Sequence, residues 1–194
     1  MGDVELFLLK AAATNAQIRQ AMQDPAIASS RSDIELATDK LVTGHLEQVD
    51  ASIRRNASRM AEFYQIFYIL ENDIRNLVSE TLEEGGGEAW WGTCVPQFVQ
   101  DSVKKNIDRE ADEGLIARSD REIDYTNFGE LGEIIKMNWN AFAGIFANTS
   151  VNGVQRVIKK LNLARGPIAH CGLLTEDEVV RLKLTVRDWY NLMA

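Results

Sequence analysis

Basic charge is what this sequence most lacks. Its 194 residues hold 21 Lys and Arg against 29 Asp and Glu, a formal net charge of −8. Duplex-binding proteins draw most of their affinity from neutralising phosphates, so this composition argues against a dedicated duplex binder. Any contact with nucleic acid must be local, in a small cleft on an acidic body. The nearest approach to a basic stripe is Arg156, Lys159, Lys160 and Arg165, which a helix would place on part of one surface. Cysteine is scarce too. Cys94 and Cys171 are too few for a disulfide scaffold and lack zinc-like spacing. No carboxylate and histidine set has metal-ligand spacing. The Gly85-Gly86-Gly87 run lacks the following Lys-Ser/Thr of a phosphate cradle. Neither a metal nor a cofactor is therefore expected. No apolar run approaches about 18 residues, which excludes a membrane-spanning helix. Asp3 and Glu5 precede Leu6-Phe7-Leu8-Leu9 at the start, unlike the basic start of a signal peptide. A reduced, cytoplasmic protein is the expectation. Only three prolines occur, and that economy of breakers favours helices.

What is present is a helical pattern. The 45% hydrophobic content allows a sizeable core for one domain of ordinary size. Residues 4–23 read as a helix broken by Asp24-Pro25, and Ser32-Asp33-Ile34-Glu35 has the form of a capping box. The pattern from Leu36 to Leu82 is helical, with a weak point at Thr43-Gly44. Within it Phe63, Phe67, Leu70, Ile74 and Leu77 recur at helical spacing and form one apolar face. The three glycines at 85–87 end that helix. Further helices are expected over about 97–111 after Pro96, about 128–147 capped by Asn127, and about 151–164. Gly166-Pro167 should bend or restart the chain directly after Arg165. Residues 112–126 read as a loop. Thr175-Glu176-Asp177-Glu178 opens a last helix reaching about Asn191. The fold class is all-α, a helical bundle carrying an N-terminal helical extension. The expected division is 1–58 as extension or arm and 59–194 as the helical domain.

The chemistry concentrates at Arg165-Gly166-Pro167-Ile168-Ala169-His170. An Arg grips phosphate through a planar fork of donors that never loses its charge. A His exchanges a proton near neutral pH. Together they suffice to cut a phosphodiester without a metal, if both face one spot. The other histidine, His45, has no acidic or cysteine cluster around it and reads as a surface residue.

Four blocks in order give this chain a resemblance to HEPN domains, in the branch found in transcription-surveillance endoribonucleases and prokaryotic defence proteins. The first is the helix Phe63-Tyr64-Gln65-Ile66-Phe67-Tyr68-Ile69-Leu70-Glu71-Asn72-Asp73-Ile74-Arg75. Next come Trp91 with Val95-Pro96, then Tyr125-Thr126-Asn127-Phe128-Gly129-Glu130-Leu131 with Trp139. The last is Leu161-Asn162-Leu163-Ala164 followed by the Arg-x4-His hexapeptide. The resemblance implies an all-α bundle that forms a homodimer with two Arg/His motifs lining one cleft. It also implies metal-independent cleavage of an RNA substrate by attack of the RNA's own 2′-hydroxyl on the adjacent phosphate. Arg165 would stabilise the growing phosphate charge and His170 would move the proton. Glu71, Asn72, Arg75 and Asn162 are the supporting candidates. The sequence departs from the pattern at Gly166, where a polar residue is usual, and at Cys171, where Asn is frequent.

Plainer readings stand beside these. Arg165 and His170 could be structural, an Arg at a helix C-terminus and a His on a backbone carbonyl. Glu71 and Arg75 are either an exposed i,i+4 pair, worth about 0.3–0.5 kcal/mol, or groups pointing into the cleft. The four tryptophans read as packing anchors. The alternative function is a catalytically silent helical interaction or sensor module, with residues 1–58 engaging a protein partner. An antitoxin or regulatory protein is the partner expected of the enzyme.

Overall fold

The computed structural model of the protein describes residues 42–146 and 149–193. The expected helix over 4–23 and the capping box at Ser32 lie outside these residues. The chain divides into two units, Met1–Arg55 and Asn56–Ala194. Residues 42–46 are helical, and the break expected at Thr43-Gly44 falls instead at 47–50. There Asp50 accepts the Ser52 N–H at 2.7 Å, the bond by which a short acidic side chain starts a helix.

Helix α1 spans Ala51–Gly86. Phe63, Phe67, Leu70, Ile74, Val78 and Leu82 form its buried face. Leu77, expected on that face, is only half-buried, because Val78 takes the next position along the stripe. Gly87, at φ 61°, ends the helix in the left-handed region that a residue without a Cβ enters freely. A 3-10 turn (Gly87–Ala89) and the short α2 (Trp90–Cys94) lead to α3 (Gln97–Asp112).

Segment 113–126 is not a plain loop. It closes on a 3-10 turn, Glu122–Tyr125, that buries Ile123 and Tyr125. The Arg118 guanidinium lies 4.8 Å from the centre of the Tyr125 ring and donates to Glu110 through Nε at 2.7 Å. Hydrogen bonding from Arg118 holds the Glu110 carboxyl below the usual glutamate range. The segment thereby acquires a fixed course, and its last carbonyl, on Thr126, is aimed at α1.

Helix α4 (Phe128–Met137) starts at a complete capping box of Asn127 and Glu130. The long helix expected over 128–147 is broken at Asn138. The Asn138 amide donates to the carbonyls of Cys94 and Ile134, both at 2.9 Å, and so competes with the helical ladder. The short α5 (Trp139–Phe142) follows. Helix α6 spans Val151–Ala169 and α7 spans Glu176–Asn191, opened by the Thr175–Glu178 capping box. No strand occurs among the described residues.

One apolar core joins α1, α3, α4, α6 and α7. Phe67 meets Phe128 edge to face at 6.0 Å, and Phe146 lies between Trp139 at 6.1 Å and Trp189 at 5.6 Å. All four tryptophans pack in or against this core. Helices α4 and α6 approach closely at Gly132, where an added Cβ would come within 3.1 Å of Ile158. Gln155 donates to the Gly132 carbonyl at 2.6 Å and fixes the register of the two helices. Gly132→Val should therefore overpack this contact and destabilise the fold by about 1–3 kcal/mol, read as a lowered thermal midpoint.

Candidate functional site

Three elements meet at the polar end of the core: α1, the start of α4, and α6. From α1 come the adjacent side chains of Glu71 and Asn72 and, one helical turn further on, that of Arg75. Glu71 Oε1 lies 2.5 Å from Arg75 Nη2, and the same nitrogen donates to the Thr126 carbonyl at 2.7 Å. Arg75 Nη1 reaches Asn72 Oδ1 at 3.4 Å, and the Asn72 amide donates to the Tyr68 carbonyl at 2.7 Å. The other oxygen of Glu71 lies 3.3 Å from Arg165 Nε. One carboxylate thus bridges two guanidiniums on different helices. Glu71 and Arg75 keep only 12% and 13% of their side-chain exposure, whereas Arg165 keeps 39%. The exposed-pair reading of Glu71 and Arg75 is therefore wrong: the pair is largely buried and tied to α6.

Asn162 sits three residues before Arg165 and faces the first turn of α4. A Cβ added at Gly129 would lie 3.8 Å from its Nδ2. Arg165, Glu71, Asn72, Arg75 and Asn162 are therefore gathered around the start of α4. His170 is not with them. Its side chain is exposed, and its ring has no hydrogen bond or ion pair among the described residues.

The expected bend after Arg165 is absent, and this decides where His170 points. Helix α6 continues through Gly166 and Pro167 to Ala169, with His170 as its C-cap. Proline lacks the N–H that would bond the Leu163 carbonyl, but Leu163 is 69% exposed, so water can satisfy that oxygen. Gly166 has no Cβ to meet the proline ring, which removes much of the usual penalty on the residue before proline. The ladder resumes with His170 N–H on the Gly166 carbonyl at 3.1 Å. In a regular helix, residues five apart point about 140° from each other. Arg165 thus faces α1, while His170 emerges on the outer side.

The helix ends in a Schellman motif. Gly172 N–H donates to the Pro167 carbonyl at 2.7 Å and Cys171 N–H to the Ile168 carbonyl at 3.3 Å. The left-handed position of this motif, usually glycine, is Cys171 at φ 56°. Cys171 is an exposed, free thiol. Nothing in the residues around Cys171 foretells this left-handed backbone. Gly172 sits at a close approach, since a Cβ there would lie 3.1 Å from the Pro167 carbonyl oxygen. Where the resemblance leads one to expect a polar residue, Gly166 has open space around its Cβ position. No group of acidic, His and Cys side chains among the described residues could hold a metal ion.

An all-helical bundle with the Arg-x4-His pair on its penultimate long helix defines the class. The family model described as Swt1-like HEPN matches residues 65–194, about two thirds of the chain, and the chain belongs to that family. No curated protein and no solved structure matches it. No helix among the described residues is long and apolar enough to cross a membrane.

The geometry separates the two arginines by role. Arg75→Ala leaves the Thr126 carbonyl and one oxygen of Glu71 short of a buried partner, and should cost about 1–3 kcal/mol in chemical denaturation. Arg165→Ala leaves Glu71 still paired to Arg75 and should stay within about 1 kcal/mol of the parent. The helix end gives a second expectation. Cys171→Gly should stabilise by about 0.5–1 kcal/mol by relieving the left-handed backbone. Pro167→Ala should stabilise by about 0.5–1.5 kcal/mol by restoring one helical hydrogen bond. Both are read from thermal midpoints.

Proposed function

We propose that this protein is a metal-independent endoribonuclease of defence or toxin type, cutting RNA at a site shared by two copies of the chain. The observation that carries the reading is the half-exposed Arg165, anchored from behind by Glu71 on the helix that ends at His170. Arg165 uses Nε for Glu71, which leaves the terminal nitrogens of its fork for a phosphate. Two guanidiniums against one carboxylate leave the cluster one positive charge over. Membership of a HEPN family supports RNA as the substrate and a dimer as the assembly.

The divergence of Arg165 and His170 favours a composite site. Within one chain they point to different sides of α6, so the proton-transfer group for one Arg165 comes most simply from a second copy. A two-fold homodimer with residues 165–170 near its axis would supply it. The RNA 2′-hydroxyl then attacks the neighbouring phosphorus as its proton passes to a His170 ring. The bond to the 5′-oxygen breaks, that oxygen takes up a proton, and the products end in a 2′,3′-cyclic phosphate and a 5′-hydroxyl. Arg165 neutralises the charge that grows on the non-bridging oxygens.

One observation favours a second reading. Glu71 already offsets part of the Arg165 charge, and an unpartnered, exposed His170 serves no chemistry in a single copy. A catalytically silent helical module that binds a protein partner, through residues 1–58 or otherwise, would have the same features.

Cleavage of RNA that survives excess chelator, with cyclic phosphate ends, is the outcome expected of the enzyme. Arg165→Ala and His170→Ala should each abolish it while leaving helicity and melting unchanged. Arg165→Lys should rescue poorly, because one ammonium cannot reproduce the two-pronged grip. Light scattering should show a dimer, and mixing the two inactive variants should restore part of the activity if the pair is completed across the axis. Parental rates in both variants would place the activity away from this pair, inhibition by chelator that only added metal reverses would replace the mechanism, and the absence of any cleavage would move the assignment to the silent module.

A further inference from the structure

The helix that carries the motif is also the most one-sided in charge. Helix α6 contains Arg156, Lys159, Lys160 and Arg165 and no Asp or Glu, in a chain whose net charge is −8. The four cations do not share one surface, as the sequence spacing suggested. Arg165 turns inward to Glu71. Arg156, Lys159 and Lys160 are exposed and make no ion pair among the described residues. On a regular helix they lie within about 60° of Leu163, and His170 falls inside the same sector. From Arg156 to His170 this face runs about 21 Å.

We infer that the outer face of α6, from Arg156 through Lys159 and Lys160 to His170, is a binding track for the phosphate backbone of single-stranded RNA. This deepens the nuclease reading and rests on it for the identity of the polyanion. The physical case is charge complementarity. Three exposed cations that make no ion pair among the described residues repel one another, and a polyanion laid along them relieves that repulsion. A second copy laid over Arg156, Lys159 and Lys160 would set like charges against like, so a two-fold axis near residues 165–170 leaves that stretch of the face open. The track ends at the histidine, so a strand held by it arrives with its phosphates beside the proton-transfer group. The sequence-independent grip that the acidic composition denied to the molecule as a whole is thus confined to one helix face.

The test uses a 2′-O-methyl oligonucleotide, which cannot be cleaved by its own 2′-hydroxyl, and fluorescence anisotropy across a range of salt. Each phosphate contact on a single strand contributes about −0.7 to the slope of log affinity against log salt. Arg156→Gln/Lys159→Gln/Lys160→Gln should bind more weakly and show a slope shallower by about 2. Arg156→Lys with Lys159→Arg and Lys160→Arg, which keeps the charge, should retain the parental slope. An unchanged slope in the neutral variant overturns the track, as does a parent that binds no oligonucleotide. A shift in dimerisation with RNA affinity unaltered also overturns it, since the face would then be a self-interface. Cleavage of unmodified RNA is measured separately. A shallower slope without any parental cleavage keeps the track and removes the nuclease, whereas intact cleavage with an unchanged slope keeps the nuclease and removes the track.

Discussion

The Glu71 carboxylate is the constraint on which the site depends. It faces Arg75 along its own helix and Arg165 on another, and it is nearly out of water. A partly desolvated carboxylate without a partner is costly; Arg75 supplies the buried partner, and Arg165 adds a second, more exposed one. The arrangement fixes α1 against α6 through polar groups at the margin of an otherwise apolar core. Arg75 is held in turn by the Thr126 carbonyl, so the segment before α4 belongs to the same support. The two arginines differ in exposure: Arg75 is largely buried, and Arg165 keeps a free edge.

Much of the fold was legible because its signals are local. Asn127 with Glu130 and Thr175 with Glu178 mark helix starts through side chains that reach only three residues along the chain. The apolar stripe of α1 is likewise a matter of period, and only its register at 77–78 was misread. The misses share a different cause. Asn138 breaks its helix by reaching Cys94, 44 residues away. Ile123 and Tyr125 are buried because Arg118 and Glu110 fold the preceding segment over them. Neither contact has a signature in the neighbouring sequence.

For the candidate site, the sequence pointed to side chains that lie close together, but not to how they are arranged. Glu71, Asn72, Arg75, Asn162 and Arg165 could be named from the blocks they occupy, and they do come together. The contact between Glu71 and Arg165 spans the domain and could not be read from spacing. His170 shows the limit most clearly. Proline after glycine reads as a helix end, yet the helix passes through both, and that continuation turns the ring away from Arg165. Likewise the four cations of α6 were counted as one patch, when packing against α1 removes one of them to the other side.

Pro167 leaves the last turn of α6 with one hydrogen bond fewer than the turns before it. Stability in a folded protein is not uniform, and segments with few protected hydrogen bonds open on their own at low cost. The turn bearing His170 lies beyond this gap and is closed by the strained Cys171. It can therefore unwind while the Val154–Leu161 stretch stays packed in the core. Amide exchange would divide the single helix into a slow body and a fast tip. The imidazole would ride on the tip, while the guanidinium stays fixed on the body.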